Sequence, residues 1–136
     1  MLVAVTDVGS ATRILFDGGT FDHMFGQSVK HLVTNVVSVP PKYFRTASSI
    51  MTLDKKGDLP HRYGVFKWGY INPYLDTTLI SEGKQIEDEG WEFKSSRAGK
   101  EVTAQFTDES GEAQTAVFWA TKTGRLYYMP VRIKLK

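Results

Sequence analysis

The chain is 136 residues long, 24% charged and 41% hydrophobic, with 12% aromatic residues, no cysteine and a formal charge of +2. That length suits one domain of about 100–150 residues and excludes a two-domain enzyme. The missing cysteines exclude disulfide scaffolds, thiolate zinc sites, iron–sulfur clusters and a thiol nucleophile. No apolar stretch approaches the roughly 18–20 residues of a membrane helix, and Met1–Val5 lacks the basic lead-in and length of a signal peptide. The expectation is a cytoplasmic protein without a membrane partner.

The charge is unevenly placed. Glu82, Glu87, Asp88, Glu89 and Glu92 face only Lys84 within their segment, whereas Lys122, Arg125, Arg132, Lys134 and Lys136 close the chain with no acid among them. Bases on a last strand discourage unwanted edge pairing; they also suit an anionic partner or the acidic belt of another copy. The total of +2 is well below the balance typical of nucleic-acid binders.

In chain order, Leu2–Asp7 and Thr12–Phe16 read as a hairpin joined by Val8–Ala11 and stopped by Asp17-Gly18-Gly19. From Asp22 to Val37 the apolar positions Met24, Phe25, Val29, Leu32, Val33, Val36 and Val37 advance by threes and fours. That spacing predicts one amphipathic helix over about 22–37, capped by Thr20 or Asp22 and ended by Pro40-Pro41. Its valines lower the intrinsic propensity, so it would need burial against a sheet. Residues 42–58 have no clean period and read as a short strand or helical turn plus loop, with Asp54–Asp58 a turn. Tyr63–Ile71 is a strand closed by Asn72-Pro73, and Thr77–Ile80 a shorter one.

Four runs, Gly90–Lys94, Glu101–Thr107, Ala113–Thr121 and Leu126–Leu135, are separated by glycine-bearing turns and predict a C-terminal four-stranded antiparallel meander. The third run is apolar on both faces, which places it centrally under the predicted helix. The last alternates, with Tyr127, Met129, Val131, Ile133 and Leu135 on the buried side. The fold class is therefore α+β, mainly β: one domain over 1–136, an antiparallel sheet or partly closed barrel of about six to eight strands, and one helix packed on it. The expected core is Val3, Val5, Ile14, Phe25, Val29, Leu32, Val33, Val36, Phe66, Trp68, Phe93, Val102, Phe106, Phe118, Val131 and Ile133.

Asp7-Val8-Gly9-Ser10-Ala11-Thr12 and Asp17-Gly18-Gly19-Thr20-Phe21-Asp22 locally resemble the phosphate hairpins of the sugar kinase, heat-shock-70 and actin ATPase superfamily. In that family the aspartates manage magnesium and the attacking water, and glycine amides cradle phosphate. Its two hairpins lie in different subdomains, whereas here only Arg13–Phe16 separates the runs. Two glycine-rich turns bounding a hairpin account for both.

The histidines are His23, His31 and His61; on a helix the first two would stand about 80° apart and more than two turns distant, and no H-x-x-x-H spacing is present. A zinc site of Asp17 or Asp22 with His23 is conceivable, but solvated histidines fit better, and no metal or cofactor is expected. No Gly-x-Ser-x-Gly elbow is present. The enzyme class the composition would serve is a small metal-independent ribonuclease using His61, Glu92, Arg125, Arg132 and Tyr128. As ordinary surface residues these need no such explanation, and the balance leans away from an enzyme.

Lys55, Lys56, His61, Arg62, Tyr63, Phe66, Lys67, Trp68 and Tyr70 interleave bases with aromatics, as single-stranded nucleic-acid binders do. Strand alternation puts Phe66, Trp68 and Tyr70 on one face, as a core strand would, and core is the favoured reading. The leading expectation is a non-enzymatic binding or assembly protein that self-associates or joins a larger assembly through hairpin surfaces and the basic last strand. A viral structural subunit is one example, which would place it in a virion. A single-stranded nucleic-acid-binding β-barrel is the alternative. The candidate contact residues are Lys55, Lys56, Arg62, Lys67, Trp68, Tyr70, Arg125, Tyr128, Arg132 and Lys134.

Overall fold

The computed structural model describes residues 13–45, 47–130, 133 and 135. The Leu2–Asp7 strand, the Asp7–Thr12 run and the candidate residues Val3, Val5, Val131, Arg132 and Lys134 lie outside the described residues. Along the chain come β1 (Ile14–Asp17), β2 (Met24–Phe25), a 3₁₀ segment (Gln27–Leu32), β3 (Thr34–Arg45), β4 (Ile50–His61), β5 (Gly64–Ile71) and β6 (Thr78–Ser81). There follow α1 (Glu82–Glu89), β7 (Glu92–Ser96), β8 (Gly99–Thr107), β9 (Ala113–Trp119), β10 (Thr121–Thr123) and β11 (Leu126–Tyr128).

The larger sheet has the order β10-β11-β1-β6-β2-β5-β4-β3, and β7-β8-β9 form a second, antiparallel sheet. Two pairs in the larger sheet, β1 with β6 and β2 with β5, are parallel, so it is mixed. The fold is α+β and mainly β, and it is not a closed barrel.

Side chains on the facing sides of the two sheets make the main core. Ile14 and Phe16 of β1, Leu59 of β4, Phe66 of β5 and Ile80 of β6 pack with Val102 and Ala104 of β8 and Phe118 of β9, with Phe25 and Trp91 in the same cluster. Each large side chain so buried contributes about 1.5–3 kcal/mol. Phe16 meets Phe93 edge-on at 5.3 Å and Phe118 at 6.2 Å. Consecutive strand residues point to opposite faces. Phe25 accordingly enters this core, while Met24 enters a second cluster with Leu53 and Tyr70, flanked by Phe44, Met51 and Leu79.

The helix expected over 22–37 does not form. The segment is divided between β2, the 3₁₀ segment and β3, because the chain at Gly26 is pinned to the β5–β6 connection. Gly26 N–H donates to Thr78 Oγ1 at 2.9 Å, Gln27 N–H to the Leu75 carbonyl at 2.8 Å, and a Cβ at Gly26 would lie 2.6 Å from that carbonyl oxygen. Beyond it the β-branched run from Val33 to Val39 suits an extended backbone. Pro40 and Pro41 are accommodated because β3 is an edge strand. Val36, expected in the core, is exposed on β3; Leu32 and Val33 are half-buried against the core.

The helix that does form is α1, in the acidic segment. Ser81 caps it by accepting the Lys84 N–H on its side chain, and Gly90, at φ 73°, ends it with its N–H on the Gln85 carbonyl. Residues 42–58 are not a loop but the β3–β4 hairpin, and Asp54–Asp58 lies within β4.

Among the described residues the C-terminal meander has three strands, not four. The fourth run contributes β11, which pairs with β10 and with β1 in the larger sheet, while Leu135 makes an isolated bridge to His61. Here β8 is central and β9 is an edge. Phe118 is accordingly buried and Val117 and Trp119 are exposed. Phe106 is half-buried.

Candidate functional site

Strand β4 is central to the ribbon β3-β4-β5, and Asp58 is where its pairing changes on both sides. Toward β5, Gly57 opposes Gly69 but Leu59 opposes Phe66, so Asp58 faces both Lys67 and Trp68. Toward β3, Thr34 opposes Asp58 and Val37 opposes Lys56, leaving Asn35 and Val36 opposite Gly57. Each irregularity is a β-bulge, two residues against one.

The bulged residues Asn35 and Trp68 have φ of 54° and 57°, a left-handed conformation that asparagine tolerates and tryptophan rarely adopts. Asp58 holds both. Its Oδ1 accepts the Trp68 N–H at 2.9 Å and its Oδ2 accepts Asn35 Nδ2 at 3.1 Å. From the other side, Lys84 Nζ donates to the carbonyls of Lys67 and Trp68, each at 2.8 Å.

The bulge breaks the alternation expected of β5. Phe66 is fully buried in the main core, Tyr70 is 7% exposed in the second cluster, and Trp68 is 45% exposed. Core placement therefore holds for Phe66 and fails for Trp68. Beside Trp68 stands Lys56, opposite Tyr70 in register, with its Nζ 5.1 Å from the indole centroid and 4.4 Å from the Tyr70 ring. Lys42 of β3 sets its Nζ 5.5 Å from the Phe44 ring and 5.9 Å from that of Tyr70, and 4.0 Å from Asp22 Oδ2.

Burial pulls the Lys56 ammonium below its ordinary pKa; Asp22 opposes this and Lys42 adds to it. Burial likewise lowers Lys84, against the field of Asp22 and with that of Lys56. Asp22 thus serves several ammonium groups, and no carboxylate among the described residues forms an ion pair with Lys56. An open cleft of about 440 Å³ adjoins, between Gly18–Asp22 and the start of α1, lined in part by Ser81, Lys84 and Asp88. In it, Asp17-Gly18-Gly19 is a turn closed by Asp17 Oδ1 on the Gly19 N–H.

Beneath this surface lies a buried polar link. Ser81 N–H donates to His23 Nδ1 at 3.0 Å, which leaves the proton on Nε2 to donate to Gln85 Oε1 at 3.0 Å. His23 O accepts the Tyr70 N–H. Strand β2, α1 and β5 are thereby tied together under the bulge. His23 and His61 are buried rather than solvated, and only His31 is exposed. Among the described residues no group of three or more His, Asp or Glu side chains is placed to hold a metal ion.

The remaining candidates are dispersed. Lys55 is exposed with Nζ on Ser38 Oγ; Lys67 pairs with Glu89 at 3.6 Å; Arg62 is exposed, its guanidinium 5.6 Å from the Tyr63 ring. Arg125 is exposed in the β10–β11 turn, at the far end of the sheet order from β3. Tyr128 is buried with the Arg13 guanidinium 4.7 Å from its ring centroid. His61 stacks on Phe66 at 4.1 Å in the core, accepting the Tyr63 N–H on Nδ1, whereas Glu92 is exposed on the other sheet.

The structure thus brings together Lys56, Trp68 and Tyr70 and adds Lys42, Phe44, Asp22, Asp58 and Lys84. The Lys42-Tyr43-Phe44 run carried the same base-and-ring signal as Lys67-Trp68, within a segment whose period was unreadable. Comparison with protein-family models, with curated proteins and with solved structures finds no match to the chain. No helix among the described residues is long and apolar enough to cross a membrane.

Proposed function

We propose that the chain is a non-enzymatic assembly subunit that docks onto another copy of itself through the outer face of the β3–β4 ribbon. One observation carries this reading: beyond Lys56 the hairpin has no third strand among the described residues, since β5 pairs with β4 only from Lys56 to His61. Its inner face, with Phe44 opposite Met51 and Lys42 opposite Leu53, packs on Tyr70 and Met24. Its outer face, with Tyr43 opposite Thr52 and Arg45 opposite Ile50, is open, and Tyr43 and Ile50 are 72% and 60% exposed. A two-stranded ribbon is marginal alone and gains from cover on its second face.

The edge of β3 is a poor site for adding a strand. Pro40 and Pro41 lack N–H donors, and Lys42 and Arg45 follow them. Docking is therefore by the side chains of the face. The charge that Arg45 would meet is present on the molecule itself, at exposed Glu87 and Asp88 of α1 and Glu112 before β9, so the contact is head-to-tail. A viral structural subunit is one setting for such a contact, by analogy alone.

Sedimentation velocity tests this. Concentration-dependent association that weakens with salt is expected for the full chain, and Tyr43→Asp should yield a monomer with an unchanged circular dichroism spectrum. A strict monomer at all concentrations and ionic strengths overturns the proposal.

A further inference from the structure

We propose a second function carried by the inner edge of the same ribbon: Trp68, Lys56 and Lys42 form a subsite for a nucleobase and its phosphate, and the ligand is single-stranded nucleic acid. The reading is independent of self-association, because it uses the Lys56–Trp68 corner and not the Tyr43–Ile50 face. Three observations support it. The indole is nearly half exposed on a central strand pair, held outward by a backbone conformation unusual for its residue type. The Lys56 ammonium beside it has ring contacts but no ion pair among the described residues. Lys42 shares the Tyr70 ring with Lys56 and, among the described residues, has only Asp22, at 4.0 Å, as a counter-charge.

An exposed ring fixed by its backbone stacks a base with little loss of side-chain freedom, and stacking tolerates any sequence because every base has a π face. Lys56, its Nζ 5.1 Å from the indole centroid, and Lys42, which shares the Tyr70 ring with it, meet the phosphate of the stacked nucleotide; Lys56 is 8% exposed, so Lys42 presents the more open ammonium. An acidic peptide would satisfy the lysines but leave the indole unused. A duplex hides its base faces and would engage the lysines alone.

The test is fluorescence anisotropy of the full chain with a labelled oligothymidylate, with inorganic polyphosphate and a DNA duplex as competitors. Binding should weaken about two- to threefold for each doubling of salt, as two phosphate contacts on a single strand require. Trp68→Ala should weaken it about five- to 150-fold and Trp68→Phe much less, while Lys56→Gln should lower the salt dependence. Circular dichroism establishes that each variant is folded. The proposal is overturned by absence of binding at low salt. It is equally overturned by a folded Trp68→Ala that binds as the wild type does, or by polyphosphate or duplex competing as well as the single strand, which would leave charge attraction only.

Discussion

Asp58 Oδ1 accepts the main-chain N–H of Trp68 at 2.9 Å while its other oxygen holds Asn35 Nδ2 at 3.1 Å. One carboxylate in a central strand thus fixes a bulge on each neighbouring strand, and the bulge on β5 sets which way Trp68 points. Asp58→Ala should cost about 1–3 kcal/mol, since a hydrogen bond to a charged group contributes about 1.5–3 kcal/mol and this carboxylate is partly exposed. The Trp68 amide should then lose much of its protection from hydrogen exchange. Asp58→Asn keeps an acceptor and should fall between. A folded Asp58→Ala with wild-type exchange at Trp68 would mean that Lys84, bonded to the Lys67 and Trp68 carbonyls, holds the bulge alone.

Gly57 and Gly69 are opposed across the same strand pair. A Cβ at Gly69 would lie 2.7 Å from His23 Cβ and from two ring carbons of Phe25, so the His23 and Phe25 side chains can lie against β5 here only at a residue without a side chain. Gly69→Ala should destabilise by about 1–3 kcal/mol, as overpacking does. Gly18→Ala, whose Cβ would find its nearest atom, Glu82 Oε1, at 3.9 Å, should stay within about 0.5 kcal/mol of wild type. Equal urea midpoints for the two variants would refute the close approach.

Much of the fold was legible because composition and alternation report strands well. β5, β6, β8 and β9 stand near where β-branched and aromatic runs placed them. The segment 22–37 misled because an apolar spacing of three and four also arises where a short strand, whose Met24 and Phe25 divide between two clusters, runs into a 3₁₀ segment and then an edge strand. Only the long-range pinning of Gly26 by Leu75 and Thr78 decides between them. α1 was missed because its single apolar residue, Ile86, is exposed and its buried one is Gln85. Its capping serine and terminal glycine were the available signal. Trp68 could not be read as exposed, since a bulge shifts alternation by one residue and its cause, Asp58, is ten positions away in sequence.

Burial, with the field of Lys84 next, lowers His23 from 6.5 to about 3, and its bond to Gln85 only partly opposes this. The unfolded chain takes up this proton as pH falls through about 6.5, whereas the folded chain stays neutral down to about 3. The contribution is therefore complete above about 6.5 and is lost progressively as pH falls toward about 3, with a slope approaching about 1.4 kcal/mol per pH unit. Urea unfolding at about pH 7 and about pH 4.5 should show a larger loss for the wild type than for His23→Gln, in which the carboxylates still titrate but this group does not. Equal losses would show that His23 is protonated in the folded chain.

Asp108 closes the β8–β9 turn with one carboxylate. Oδ1 accepts the Ser110 N–H and hydroxyl and the Glu112 N–H, at 2.9, 2.7 and 3.0 Å, and Oδ2 accepts Gln114 Nε2 at 2.9 Å. The Ser110 hydroxyl first, then the Glu112 amide and Gln114, lower its pKa from 3.8 to about 2. Because the folded value is the lower one, the stabilisation is complete above 3.8 and is lost as pH falls through about 2. The Ser110 and Glu112 amide resonances should therefore titrate together near about 2, and Asp108→Ala should expose both amides to exchange while leaving β7–β8 pairing protected. Asp108→Asn retains an acceptor for the amides but cannot strengthen it with charge, so its turn should exchange at an intermediate rate. Amides that titrate near 3.8 instead would mean that the turn forms without the carboxylate's help.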